Sequence, residues 1–112
     1  LIEEIKTQAV KTNHFQTLPN RNLDFDAVPG YAKWSENHYQ RATTLLNQAN
    51  SVEDLKNLLR DRENAASKTA ICTIEAEDKC CTHSAFIFDT RQKKAHYCQG
   101  NPLTGKFIEY GF

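Results

Sequence analysis

Thr12-Asn13-His14-Phe15 is the local cluster with the clearest capacity for chemistry. An asparagine at the end of a buried strand presents an amide N–H₂, and such a donor stabilises a developing oxyanion when it lies about 3 Å from that oxygen. Asparagine at a strand end also forms turns through its own side chain, and His14 alone is as readily a structural or surface histidine as a base. His38 and Arg41 lie three apart on a helical stretch and share one face. An arginine there can anchor a carboxylate or orient a catalytic acid or thiol. A solvated helix face is the plain alternative.

Cys72, Cys80, Cys81 and Cys98 allow two bridges in three connectivities. Three readings stay open: free thiols, some of them buried; a short Cys72–Cys80 or Cys72–Cys81 staple; and a zinc site completed by His83 or His96. The last lacks the Cys-x-x-Cys pair that tetrahedral sites usually show. A Cys80 or Cys81 nucleophile with a nearby His is conceivable, but Glu77 and Asp78 beside it disfavour a thiolate. His83 and His96 would face each other only if the hairpin register allowed it. Ser35 and Ser51 read as helix caps.

The 112 residues are 39% apolar and 25% charged, which suits one globular domain or part of one. Fourteen Lys and Arg balance fourteen Asp and Glu, so no net field draws a phosphate backbone or an anionic membrane. The longest apolar run, Ala85 to Phe88, is far too short to cross a bilayer. Neither nucleic acid nor membrane is expected as a partner. The lack of an Asn-x-Ser/Thr sequon favours an intracellular, cytoplasmic setting. Leu1 opens the chain without a Met, a signal peptide or a transit peptide, so the chain is expected to begin inside a longer product.

Several elements must position these residues. Alternation over residues 5–15 predicts a strand, and the breakers between Leu18 and Gly30 predict a loop. Ser35 would cap a helix over residues 36–49, with Tyr39, Ala42, Leu45, Leu46 and Ala49 on its apolar face. Ser51 opens a second helix, with Glu53 and Asp54 in its first turn and a stripe of Val52, Leu55, Leu58 and Leu59. Alternation then predicts a strand at 69–76. Residues 84–89, apolar on both faces, predict a central strand. Asp89 to Lys93 turns the chain, residues 94–98 return, and Gly100-Asn101-Pro102 breaks it before a last strand at 106–110. The pattern is α+β, with the helices on one side of an antiparallel meander.

In order and spacing, several motifs resemble the C-terminal portion of the isopenicillin-N acyltransferase-like (acyl-CoA:6-aminopenicillanic acid acyltransferase) cysteine Ntn-hydrolases. They are Thr12-Asn13-His14-Phe15, Tyr39-Gln40-Arg41, Ser51-Val52-Glu53-Asp54-Leu55, the stretch to Asp61, Ile71-Cys72, Phe86-Ile87-Phe88-Asp89 and Gly100-Asn101-Pro102. The resemblance spans nearly the whole chain, which would be a single C-terminal segment, residues 1–112, of a larger domain. It implies part of an αββα sandwich, made as a precursor that cleaves itself before an internal Cys. That Cys becomes an N-terminal nucleophile and handles linear amide bonds, by hydrolysis or acyl transfer, through a thioester. Asn13 then matches the oxyanion-hole Asn. Arg41, the only Arg of its helix, or His38 matches a further site position. No metal is implied, and a coenzyme A thioester is a candidate acyl donor. The nucleophile's own motif is absent from these residues, so the chain alone should be inactive. The N-terminal part of the same precursor, or another chain, would carry the nucleophilic Cys, and the partner in catalysis would be a small amide or acyl substrate. A stand-alone, non-catalytic α+β interaction module is the competing reading, and it expects no exposed apolar sheet face.

Overall fold

A computed structural model describes residues 8–12, 30–67 and 69–112 of the chain. The expected strand at 5–15 falls largely outside them, and residues 8–12 carry neither helix nor strand. Asn13 and His14 also lie outside the described residues. The amide N–H of Gln8 donates to Asn47, which ties this leading segment to the far end of the first helix.

Helix α1, Tyr31–Gln48, begins a full turn before the expected start. Gly30 precedes it at φ 84, a left-handed conformation that glycine adopts without a Cβ penalty, and contributes no side-chain cap. Ser35 is therefore not a cap. It sits inside the helix and is only 1% exposed. A start without a capping side chain leaves no local signal, and Ser35 followed by Glu36 imitates one.

Helix α2, Val52–Leu59, forms as expected. Ser51 Oγ accepts the Asp54 N–H at 3.1 Å, and Asp54 Oδ2 accepts the Asn50 N–H at 2.9 Å. This reciprocal cap satisfies donors at the helix start and fixes the tight joint to α1.

Strands β1 (Ser84–Asp89), β2 (Lys94–Gln99) and β3 (Phe107–Gly111) form one antiparallel sheet in the order β1-β2-β3. Ser84 pairs with Gln99 and Asp89 with Lys94, while Cys98 pairs with Phe107 and Lys94 with Gly111. The turn at 89–93 falls where expected. Ala85, Ile87, His96 and Cys98 are buried. Helix α2 packs on β1, and α1 packs on α2, so the molecule is α+β.

Two expectations fail. The first is β1 as a central strand; among the described residues β1 is an edge, and its second apolar face is exposed. Phe86 stacks on its register partner Tyr97, and Phe88 meets the edge of Phe112. With Ile108 and Tyr110 these residues make an aromatic face, each of the six except Tyr97 at least half exposed. Exposed apolar surface of that kind marks a contact site.

The second is the strand at 69–76. Ala70, Cys72 and Thr73 are indeed buried, but among the described residues the backbone pairs with no neighbouring strand. Its donors go elsewhere: Cys72 N–H to the Asp61 carbonyl, Ile71 N–H to Asp61 Oδ2, Thr73 N–H to Thr82 Oγ1 and Ile74 N–H to Asp78 Oδ2. A short helical turn, α3 (Glu75–Asp78), follows and ends at Lys79 in the left-handed region, φ 58. Period-two burial without a ladder produces this irregular segment.

Candidate functional site

Arg41 and His38 do share a face of α1, but that face is not solvated. His38 is 9% exposed, and the Arg41 and Asp61 side chains are 18% and 7% exposed. Arg41 Nη2 donates to Asp61 Oδ1 at 2.5 Å and its Nε to Asp61 Oδ2 at 3.1 Å, a two-pronged pair. The same Nη2 reaches Glu63 Oε2 at 2.5 Å on the rim. Asp61, just past α2, also accepts the Ile71 N–H. Arg41 therefore holds the irregular 61–74 segment against α1.

A second arginine works in parallel. Arg62 Nη1 donates to the Cys72 carbonyl and to Asp78 Oδ2, both at 2.6 Å, and its Nη2 donates to Glu77 Oε2 at 2.5 Å. Asn101 closes the network from the sheet side. Its Nδ2 donates to the Thr73 carbonyl at 2.8 Å, and its Oδ1 accepts the Cys72 thiol at 3.1 Å and the Leu103 N–H at 3.0 Å. Pro102 is fully buried, and its carbonyl accepts from Arg60 Nε at 3.0 Å. A Cβ on Gly105 would come within 2.6 Å of Cys98 Sγ, so glycine is required at that close approach. The Gly100-Asn101-Pro102 break is thus a clamp between β2 and residues 72–73.

His38 Nδ1–H donates to the Trp34 carbonyl at 2.8 Å, and its ring lies 4.1 Å from the indole, centroid to centroid. Nε2 is buried and has no hydrogen-bond partner among the described residues.

Burial opposes the charge on Asp61 and on Asp78. Arg41 and the Ile71 N–H outweigh it for Asp61, and the Ile74 N–H and Arg62 for Asp78, so both carboxyls stay below their ordinary range. A carboxyl depressed on folding adds stability that is present above its unfolded value, near 4, and is lost as pH falls through its folded value. The melting temperature should therefore drop steeply from about pH 4 downwards, and Asp61→Asn with Asp78→Asn should flatten that drop. An equally steep acid limb in the double variant would contradict the assignment.

All four cysteines are free, with Cys72 and Cys98 buried, Cys80 exposed and Cys81 partly so. The short staple is therefore not formed. Among the described residues, no group of three or more His, Cys, Asp or Glu is placed to hold a metal ion. His96 pairs with Ile87 rather than His83, and Glu109 lies beside it. His83 instead neighbours Cys81, with its ring nitrogens 3.7 and 3.8 Å from Sγ. Among the described helices, none is long and apolar enough to cross a membrane. An open groove between the α1–α2 joint and the β1–β2 hairpin is lined by Leu46, Ser51, Val52, Ile87 and Arg91, away from Arg41 and His38.

Asp61, Arg62, Asp78 and Asn101 were not singled out from the sequence as site residues. Their signal is long-range pairing, which no local spacing carries. The model of the family described as acyl-coenzyme A:6-aminopenicillanic acid acyl-transferase matches residues 1–104. No curated protein and no solved structure matches the chain.

Proposed function

Because this chain belongs to the acyl-coenzyme A:6-aminopenicillanic acid acyl-transferase family, we propose that it is the C-terminal part of an autoprocessed enzyme that transfers or hydrolyses acyl groups of linear amides through a cysteine thioester. Asn13 supplies the oxyanion-hole amide. The nucleophilic Cys comes from the N-terminal part of the same precursor or from another chain. Within this reading Arg41 is a positioning residue. Its pair with Asp61 holds the 61–74 segment on α1, and His38 brings an Nε2 that has no partner among the described residues to the same face of that helix. The substrate is a small amide or acyl compound, and a coenzyme A thioester would serve as acyl donor if the reaction runs as transfer.

The observation that carries the reading beyond the family match is the aromatic sheet face. Phe86 at 55% exposed and Phe88 at 64% project from β1, the edge strand among the described residues, with Ile108, Tyr110 and Phe112 beside them. A second sheet laid on this face would complete the αββα sandwich, since sheets pack about 10 Å apart through such side chains. A self-sufficient interaction module would cover that surface with its own chain, so the face weighs against the competing reading.

The test uses a dye that fluoresces on apolar surface, together with an amide-hydrolysis assay. The 112-residue chain alone should bind the dye and release no product. Phe86→Ser with Phe88→Ser should lose most of the dye signal. Product release by the chain alone, or no dye binding, would contradict the reading.

A further inference from the structure

Residues 84–88 have the composition of a strand with a neighbour on each side. They carry no charged side chain, and apolar residues stand on both faces, Ala85 and Ile87 inward and Phe86 and Phe88 outward. Yet among the described residues β1 pairs with β2 alone. In an antiparallel pair, alternate residues turn their N–H and C=O to the partner strand, and those between turn theirs away. β1 therefore offers a row of outward donors and acceptors that no backbone group among the described residues meets.

The opposite edge is built differently. β3 follows Lys106 and carries Glu109, the register partner of buried His96, held by Lys94 Nζ at 2.8 Å. Charges at and beside an edge strand keep it from pairing further. β1 has no such guard along residues 84–88, and the groove between the α1–α2 joint and the hairpin runs beside it. Gln8 lines that groove together with Leu46, Val52, Ile87 and Phe88, and its side-chain amide bonds to Asn47 of α1. The chain's own leading segment thus already enters the groove. Gln8 to Thr12 belongs to the stretch whose alternation predicts a strand.

We infer that Gln8–Thr12 is the strand that β1 lacks, and that in the complete enzyme it pairs along the open edge and makes the sheet four-stranded. The inference rests on the acyl-transfer reading and deepens it. Asn13 directly follows Thr12, so this strand fixes the backbone from which the oxyanion donor acts. In the chain alone, water serves the edge groups and pairing gains little. A second sheet laid over Phe86 and Phe88 removes that water, and unpaired backbone groups become costly. Assembly therefore drives Gln8–Thr12 onto β1, as a positioning segment for Asn13.

Hydrogen exchange and steady-state kinetics on the complete enzyme test the inference with Val10→Pro and Lys11→Pro. Neighbouring residues of a strand face opposite edges, so one of the two prolines removes an N–H that donates to β1. That variant should speed exchange in the peptide covering residues 84–88 by roughly tenfold, the worth of one ladder bond. It should also lower kcat on the order of 10²-fold with KM nearly unchanged, the effect of a misplaced catalytic group. Val10→Thr keeps the N–H and the strand propensity, and should leave exchange and turnover as they were. Exchange at 84–88 that is indifferent to both prolines would mean that another strand covers β1, or none, and would overturn the inference. Asn13→Ala, assayed in parallel, separates the two claims. Lost turnover there beside unaffected proline variants refutes the strand and leaves the acyl-transfer reading standing. Faster exchange in a proline variant beside full turnover in Asn13→Ala supports the strand and refutes the role of Asn13.

Discussion

Asn13→Ala in the complete enzyme should lower turnover by about 10²–10³-fold and leave the melting transition in place. In the proposed role, the Asn13 amide N–H₂ would meet the substrate oxygen fully only once negative charge has developed on it. Its loss is therefore felt in the transition state, worth about 3–4 kcal/mol for one well-aimed donor. Because the interaction is absent from the ground state, kcat and kcat/KM fall together while KM stays near its starting value. A rise in KM with kcat intact would assign Asn13 to ordinary substrate binding. Asn13→Asp is the sharper variant, since a carboxylate at that position repels the oxyanion.

Asp61→Ala should be the most destabilising single change in the network. It removes both prongs of the Arg41 pair and the acceptor for the Ile71 N–H. Arg41, whose side chain is only 18% exposed, is left with the rim carboxylate of Glu63. Truncating one partner of a largely buried pair costs about 3–5 kcal/mol. Against a total stability of about 5–15 kcal/mol, that is enough to unfold a marginal chain. Glu63→Ala is the control: its side chain is 65% exposed, and such surface partners contribute about 1 kcal/mol or less. Urea titration should show the midpoint falling far more for Asp61→Ala than for Glu63→Ala, with an unchanged slope for Glu63→Ala. Equal shifts would remove Asp61 from its central place.

What could be read along the chain was local. Ser51 with Asp54 announces α2 because the cap is made within four residues. The Asp89–Lys93 turn announces the hairpin, and alternation in 84–89 and 94–98 locates its two strands. The start of α1 was missed because Gly30 caps through backbone conformation alone. The 69–76 segment has the burial rhythm of a strand, yet its partners are the side chains of Asp61, Thr82 and Asp78, and no spacing rule brings those to it. Arg41 was visible as an arginine on an apolar helix. That it turns inward to a carboxylate 20 residues away was not. Gly100-Asn101-Pro102 was read as a chain break, and only its fold neighbours reveal the Asn101 clamp.

The account stands or falls on where the acyl group rests during turnover. Mass spectrometry of the complete enzyme, quenched with acid during reaction, should find a hydroxylamine-sensitive acyl thioester on a cysteine outside this chain, forming about 10²–10³-fold more slowly in Asn13→Ala. An acyl group on Cys72, Cys80, Cys81 or Cys98, or an acylation rate indifferent to Asn13, would contradict it.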